Sequence, residues 1–165
     1  MNKFIVFFLG FTMFAASVSA QIIKGTYAIQ NSTTGKNLRP YEAGSHNGNR
    51  IVLYGHVEWK CMTWDFTHVA GSAYQIRNLY TSKTFQPGDT PVKSGSALVQ
   101  QPVSESLLQQ WEFIKAKDDN YFIRLKGTEL YITASSDKTN SNIILQEKEP
   151  GTLQLWRLVS QNPDM

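Results

Sequence analysis

Three histidines, one cysteine and a scatter of carboxylates are the side chains here most able to make or break bonds, and their spacing does not organise them for it. His46, His56 and His68 form no His-Glu-x-x-His pattern and share no zinc-ligand spacing with Cys61. No metal or other cofactor is expected. No Gly-x-Ser-x-Gly turn offers a serine nucleophile, and glycine loops of the phosphate-cradling kind are missing. Glu42, Glu58, Asp65, Asp89, Asp118, Asp119 and Asp137 could supply a pair of acids, which need only be close in space, but nothing in their order favours one. The expectation is a binding protein and not an enzyme.

Aromatic chemistry is better placed. Trp59 stands in the polar loop Tyr54-Gly55-His56-Val57-Glu58-Trp59-Lys60, outside the regular series taken by the other tryptophans. Tyr54 and Trp59 could present flat apolar faces to a ring-shaped ligand, with polar groups at the rim. Arg39 could donate to hydroxyls or to a ligand carboxylate, and Asn47 and Asn49 are nearby amides. The candidate ligand-binding set is therefore Tyr54, Trp59, His56, Arg39, Asn49 and Asn47. Plainer roles stand beside it: Trp59 as a cap on the end of the fold, His56 as an ordinary loop residue, Arg39 as a solvated or ion-paired surface charge.

The elements that must position these residues are read from a repeat. Tyr27, Tyr74 and Tyr121 recur every 47 residues, as do Ile29, Ile76 and Ile123. Leu38, Phe85 and Leu130 follow at 47 and 45, and Trp64, Trp111 and Trp156 do the same. Ile51, Ala97 and Ile143 recur at 46 and 46, as do Leu53, Val99 and Leu145, while Phe66, Phe113 and Leu158 track the tryptophans. Columns that keep phase across repeats are packing positions, so Trp64, Trp111 and Trp156 are core.

Within a repeat the alternation is that of short strands. Tyr27-Ala28-Ile29 starts the first, Leu38 the second, residues 51–54 make the third and residues 62–66 the fourth. Ile51 and Leu53 should face inward, Val52 and Tyr54 outward. In the second repeat the third strand should be residues 97–100. No window carries a sustained 3.6-residue apolar stripe. The reading is all-β, about twelve strands in three equivalent groups of four, with repeats at about 25–71, 72–118 and 119–160. Such groups could close into a barrel without exposed edges.

Composition sets the setting. Asn2-Lys3 gives a positive start, residues 4–16 are apolar, and Val18-Ser19-Ala20 reads as a cleavage site. Residues 1–20 are expected to be a signal peptide of bacterial appearance, and 21–165 a single exported domain, secreted or periplasmic. The apolar run is short for a membrane span. Without Lys3 the chain keeps 15 basic and 13 acidic residues, a net charge of +2. Its cations, among them Lys36, Arg50, Lys60, Arg77, Lys93, Lys115, Arg124, Lys138 and Arg157, are scattered along the sequence, which argues against nucleic acid. The lone Cys61 allows no internal disulfide and should be a buried small apolar residue.

Gln109-Gln110-Trp111 and Gln154-Leu155-Trp156 close two of the repeats with Gln-x-Trp, while the first closes with Met62-Thr63-Trp64. With the opening Gly25-Thr26-Tyr27-Ala28-Ile29-Gln30-Asn31 and the run Thr34-Gly35-Lys36-Asn37-Leu38, the chain resembles the ricin-B family of lectins over residues 25–158. The resemblance implies a β-trefoil, a six-stranded barrel capped by three hairpins. It also implies binding of galactose-type or related sugars in up to three shallow pockets. Each such pocket combines an aromatic ring, a carboxylate and an amide. The carboxylate position just after the core residue of the second strand falls on Arg39, Gln86 and Tyr131. The ring position ending the third strand falls on Tyr54, Gln100 and Gln146. The amide position falls on Cys61, Leu108 and Leu153. No repeat holds the full set, so the expected sugar or glycoconjugate site is a non-standard one in repeat 1, where the ring survives. Gln109 and Gln154 should be structural, satisfying backbone groups.

A second reading is a β-trefoil that binds protein, such as a secreted protease inhibitor. The loop Gln86-Pro87-Gly88-Asp89-Thr90-Pro91 would suit insertion into a protease cleft, and it is equally an ordinary turn.

Overall fold

The computed structural model describes residues 21–151 and 153–163; the leader expected over residues 1–20 lies outside them. Twelve strands follow one another: β1 (Gly25–Asn31), β2 (Asn37–Pro40), β3 (Ile51–Tyr54), β4 (Trp64–Ala70), β5 (Ala73–Asn78), β6 (Thr84–Pro87), β7 (Leu98–Gln101), β8 (Trp111–Lys115), β9 (Tyr121–Leu125), β10 (Tyr131–Ala134), β11 (Ile143–Gln146) and β12 (Trp156–Ser160). All pairings are antiparallel. Each third of the chain supplies its first and fourth strands to a closed ring in which β1 pairs with β4, β4 with β5, β5 with β8, β8 with β9, β9 with β12, and β12 with β1 again. The second and third strands of each repeat form a hairpin: β2–β3, β6–β7 and β10–β11. This is the three-part closed barrel expected from the repeats, and the β-trefoil that the resemblance implies.

The tryptophan series fills the interior, each ring buried at the start of a fourth strand. Phe85 lies 5.1 Å from the Trp64 ring and 5.1 Å from the Trp111 ring. A second aromatic layer sits below: Phe66, Tyr74 and Phe113 meet edge to face at 5.2 to 6.0 Å, the geometry ring quadrupoles favour. Asn31 and Asn78 fix the turns that follow β1 and β5. Each is fully buried. Asn31 Oδ1 accepts from the Thr33 and Thr34 amides, and Asn78 Oδ1 from those of Tyr80 and Thr81. The carboxamide of Asn31, at the head of an Asn-x-Thr sequence, is committed to these bonds and to the Leu153 and Leu155 carbonyls.

The observed register corrects several sequence assignments. In repeat 2 the third strand buries Leu98 and Gln100, while Ala97 and Val99 are half-buried. The strand is therefore one residue out of phase with the expected one, and a slip of one exchanges the two faces completely. The true columns are Ile51, Leu98 and Ile143, each thirteen residues before its tryptophan. Likewise Ile132, not Leu130, matches Leu38 and Phe85: Ile132 pairs with Leu145 as Leu38 pairs with Leu53. The carboxylate-position residue of repeat 3 becomes Thr133 instead of Tyr131, and the ring-position residue of repeat 2 becomes Gln101 instead of Gln100. Val52 does not face solvent. It is 0% exposed, because the loop between β10 and β11 covers it: Leu53 N donates to Ser141 O at 3.0 Å, Asn140 N donates to Leu53 O at 2.8 Å, and Val52 bridges to Asn142. The fourth strand of repeat 1, expected from residue 62, begins at Trp64; Lys60–Met62 is a single 3-10 turn, as is Leu107–Gln109 before β8.

Candidate functional site

Cross-strand geometry brings Arg39 onto Tyr54. In the β2–β3 hairpin Asn37 lies opposite Tyr54 and Arg39 opposite Val52, so Arg39 and Tyr54 are diagonal neighbours on one face, within reach of long side chains. The Arg39 Cζ sits 3.6 Å from the Tyr54 ring centroid. Arg39 is only 7% exposed. Its Nη2 donates to Asn140 Oδ1 at 3.5 Å, its Nε is enclosed without a partner, and no carboxylate pairs with it among the described residues. Trp59 joins this stack from the loop after β3, its ring 6.4 Å from that of Tyr54 and inclined by 27°.

Trp59 also walls an apolar cleft of about 170 Å³, together with Ala43, Cys61 and Tyr80. One residue, Asn78, positions two of these walls. Its Nδ2 donates to Cys61 O at 2.9 Å while its Oδ1 accepts from Tyr80 N at 3.1 Å. Trp59 O accepts from Met62 N and Thr63 Oγ1, both at 2.9 Å, which fixes the chain on entry to the 3-10 turn Lys60–Met62. Burial pushes the Cys61 thiol above its ordinary pKa, and the nearby Arg39 charge works in the opposite direction. Tyr80 is 58% exposed and was not among the sequence candidates. The signal that singled out Trp59, a large aromatic outside the repeat columns in a polar turn, holds equally for Tyr80.

The other candidates sit elsewhere. His56 is exposed, and its Nδ1 accepts from Asn37 Nδ2 at 3.0 Å. Asn37 Oδ1 accepts from Gln30 Nε2, and Gln30 Oε1 accepts from Arg157 Nε at 2.7 Å. His56 thus ends a chain of side chains that ties the loop to the barrel. Asn49 is buried, its Nδ2 donating to the Tyr41 and Gly44 carbonyls at 3.0 and 2.8 Å. Gly44 leaves room for that amide: a Cβ on it would lie 2.9 Å from Asn49 Nδ2, which would have to shift. Asn47 accepts from Lys83 Nζ at 2.7 Å. The structure therefore joins Arg39, Tyr54 and Trp59, and uses His56, Asn47 and Asn49 as ties between loops.

Repeats 2 and 3 carry a glutamine clamp that repeat 1 does not. Gln109 Nε2 donates to Pro102 O and Gln86 Oε1, and its Oε1 accepts from Ser104 N. Gln154 Nε2 donates to Glu147 O and Thr133 Oγ1, and its Oε1 accepts from Glu149 N. Each glutamine clamps its loop to the residue standing at the carboxylate position. In repeat 1 Met62 replaces the glutamine, and Arg39 is left outside any such clamp. Among the described residues, no group of three or more His, Cys, Asp or Glu gathers as a metal site. No helix there is long and apolar enough to cross a membrane.

No curated protein matches the sequence. Among solved structures, the designed three-fold symmetric protein ThreeFoil superposes with a TM-score of 0.78 at 20% identity, covering 82% of this chain and 98% of that one. The Macrolepiota procera ricin B-like lectin, solved with lactose, gives 0.71 at 19%, covering 85% and 99%. An exo-beta-1,3-galactanase from Clostridium thermocellum gives 0.77 at 24%, covering 81% of this chain but 30% of that one. At these identities the likeness shows the shared fold. A family model described as a ricin-type beta-trefoil lectin domain-like domain matches residues 60–147, more than half of the sequence, and the chain belongs to that family.

Proposed function

We propose that this protein binds carbohydrate through repeat 1 and acts as a binding module without catalytic chemistry. The observation that carries the reading is the Trp59–Tyr80 cleft, with Tyr54 in ring contact with Trp59 and Arg39 stacked on Tyr54. The exposed Tyr80 and the half-buried Trp59, facing a small apolar cleft, suit the C–H face of a sugar. About 170 Å³ is room for a single sugar ring, well below the roughly 300–1,000 Å³ of sites for drug-sized ligands. Tyr54, Trp59 and Tyr80 supply the ring faces in this reading. Arg39 supplies a donor, and His56, Asn47 and Asn49 hold the flanking loops. Family membership and the lactose-bound relative support a sugar ligand. The sequence of residues 1–20, read as a leader, favours export as a secreted or periplasmic protein.

A glycan array probed with folded wild type and with a Tyr54→Ala, Trp59→Ala double variant tests this. Binding by wild type, weakened about tenfold or more in the variant, is the expected result, with Tyr80→Ala weakened in the same direction. A folded wild type that binds no glycan would refute the function, and unchanged binding by the double variant would move the site elsewhere.

A further inference from the structure

Cations dispersed in the sequence are gathered by the trefoil at one seam. The β2–β3 hairpin of repeat 1 packs against the loop between β10 and β11 of repeat 3, and three of its cations reach across. Lys36 Nζ donates to Asp137 O at 2.7 Å, Arg39 Nη2 to Asn140 Oδ1 at 3.5 Å, and Arg50 Nη1 to Asn142 Oδ1 at 3.1 Å. Lys138 adds a fourth positive charge from the loop itself. Every one of these acceptors is a neutral carbonyl or carboxamide. The ion pairs among the described residues, Arg77–Asp65, Lys115–Asp119 and Arg124 with Glu112 and Glu129, all lie outside the seam. Two of the guanidiniums rest on ring faces, Arg39 on Tyr54 and Arg50 on Tyr41 at 4.0 Å. The side chains of Asp137 and Glu42 are the acidic groups close by in sequence, and neither forms an ion pair there.

A cation held on dipoles and rings keeps its charge uncompensated, and a desolvated one gains most from an incoming anion. Arg39 Nη1 has no partner among the described residues and, unlike Nε, is not enclosed. We infer that the glycan bound at repeat 1 is an acidic one, its carboxylate or sulfate groups lying along the seam of Lys36, Arg39, Arg50 and Lys138. This rests on the carbohydrate reading above. The shared chemistry is an oxyanion on a sugar ring, and bidentate geometry at arginine suits both forms.

The test uses hyaluronan (carboxylate only), heparin (carboxylate and sulfate) and dextran (neutral), with single-stranded DNA as a polyanion control. Binding is measured at about 50 and about 500 mM salt for wild type and for Lys36→Gln, Arg50→Gln, whose substituted side chains lie at the surface. The expected result is wild-type preference for an acidic glycan over dextran and over DNA, weakened by salt and falling about tenfold in the variant. Hyaluronan binding would assign the carboxylate, and heparin binding alone the sulfate. Equal affinity for dextran, unchanged in the variant, would overturn the inference and leave carbohydrate binding standing. Silence toward all three glycans and toward a neutral array would remove both. DNA bound as tightly as heparin would overturn the inference in favour of unspecific polyanion attraction. Arg39→Met, which removes the buried charge without touching the surface cations, should lower acidic-glycan binding, and a fully active Arg39→Met protein would exclude Arg39 from the seam.

Discussion

Arg39 lies with its guanidinium carbon 3.6 Å above the Tyr54 ring, so a cation nearly sealed from water is held by an aromatic face and not by a carboxylate. Truncating Tyr54 to Ala should uncover or strand that charge and lower unfolding stability by about 1–3 kcal/mol. Tyr54→Phe keeps the ring and should stay within about 0.5 kcal/mol of wild type. Urea titration of the two variants decides it: equal losses would mean that the hydroxyl, not the ring face, matters.

Gln109 and Gln154 each satisfy several groups at once, a carbonyl, an amide N–H and a side-chain oxygen. Replacing either by Ala leaves enclosed partners unmet and should cost about 1–3 kcal/mol. The loop it clamps, residues 102–106 or 147–151, should exchange amide hydrogens faster than the rest of the variant. Uniform acceleration across the molecule would argue against a local clamp.

The tryptophan column is chemically uneven. Trp64 Nε1 donates to Leu38 O at 3.2 Å and Trp156 Nε1 to Ile132 O at 2.9 Å, whereas the buried Trp111 Nε1 has no partner. Trp64→Phe and Trp156→Phe should each cost about 1 kcal/mol more than Trp111→Phe, since only they lose a hydrogen bond. Thermal or chemical unfolding of the three single variants reads this directly, and the reverse order would refute it.

Cys61 is buried, and desolvation holds its pKa above the ordinary value of 9.0, with Arg39 opposing. In the folded protein the thiol should label slowly with a thiol reagent at pH 8, and quickly in urea. The raised folded value favours the native state fully while both states stay protonated, and that contribution fades as the pH climbs from the unfolded value through the folded one. Cys61→Ala should flatten the fall in stability as the pH climbs above the unfolded value, about 9. A wild type and variant falling in parallel there would show that Cys61 does not titrate differently on folding.

The trefoil was legible because its packing positions repeat. Tyr27, Tyr74 and Tyr121, and the tryptophans, carry phase that no loop composition disturbs. The hairpins were less legible. From Leu38 to Ile51 and from Phe85 to Leu98 is thirteen residues, but from Ile132 to Ile143 only eleven, and dividing that difference evenly put Ala97 and Val99 where Leu98 and Gln100 belong. Val52 was misplaced for a related reason. Strand alternation predicts which face a residue takes, yet whether that face meets water depends on a loop some ninety residues away. Of the site, Trp59 could be found as an aromatic out of series, and Tyr54 as the ring ending the third strand. The burial of Arg39 could not, because nothing local in Leu38-Arg39-Pro40 distinguishes a stacked arginine from a solvated one.

β1 is stitched along its length to β12, Tyr27 opposite Ser160 and Asn31 opposite Trp156. The ring closes only when β12 docks on β1, which already pairs with β2 and β4. Residues 25–31 must wait, their bonds to β12 open, until residues 156–160 are available. Such remote pairing raises contact order and slows assembly. Synthesis or threading across a barrier would therefore present this molecule to its surroundings as an unclosed sheet, and folding would finish as a single late event.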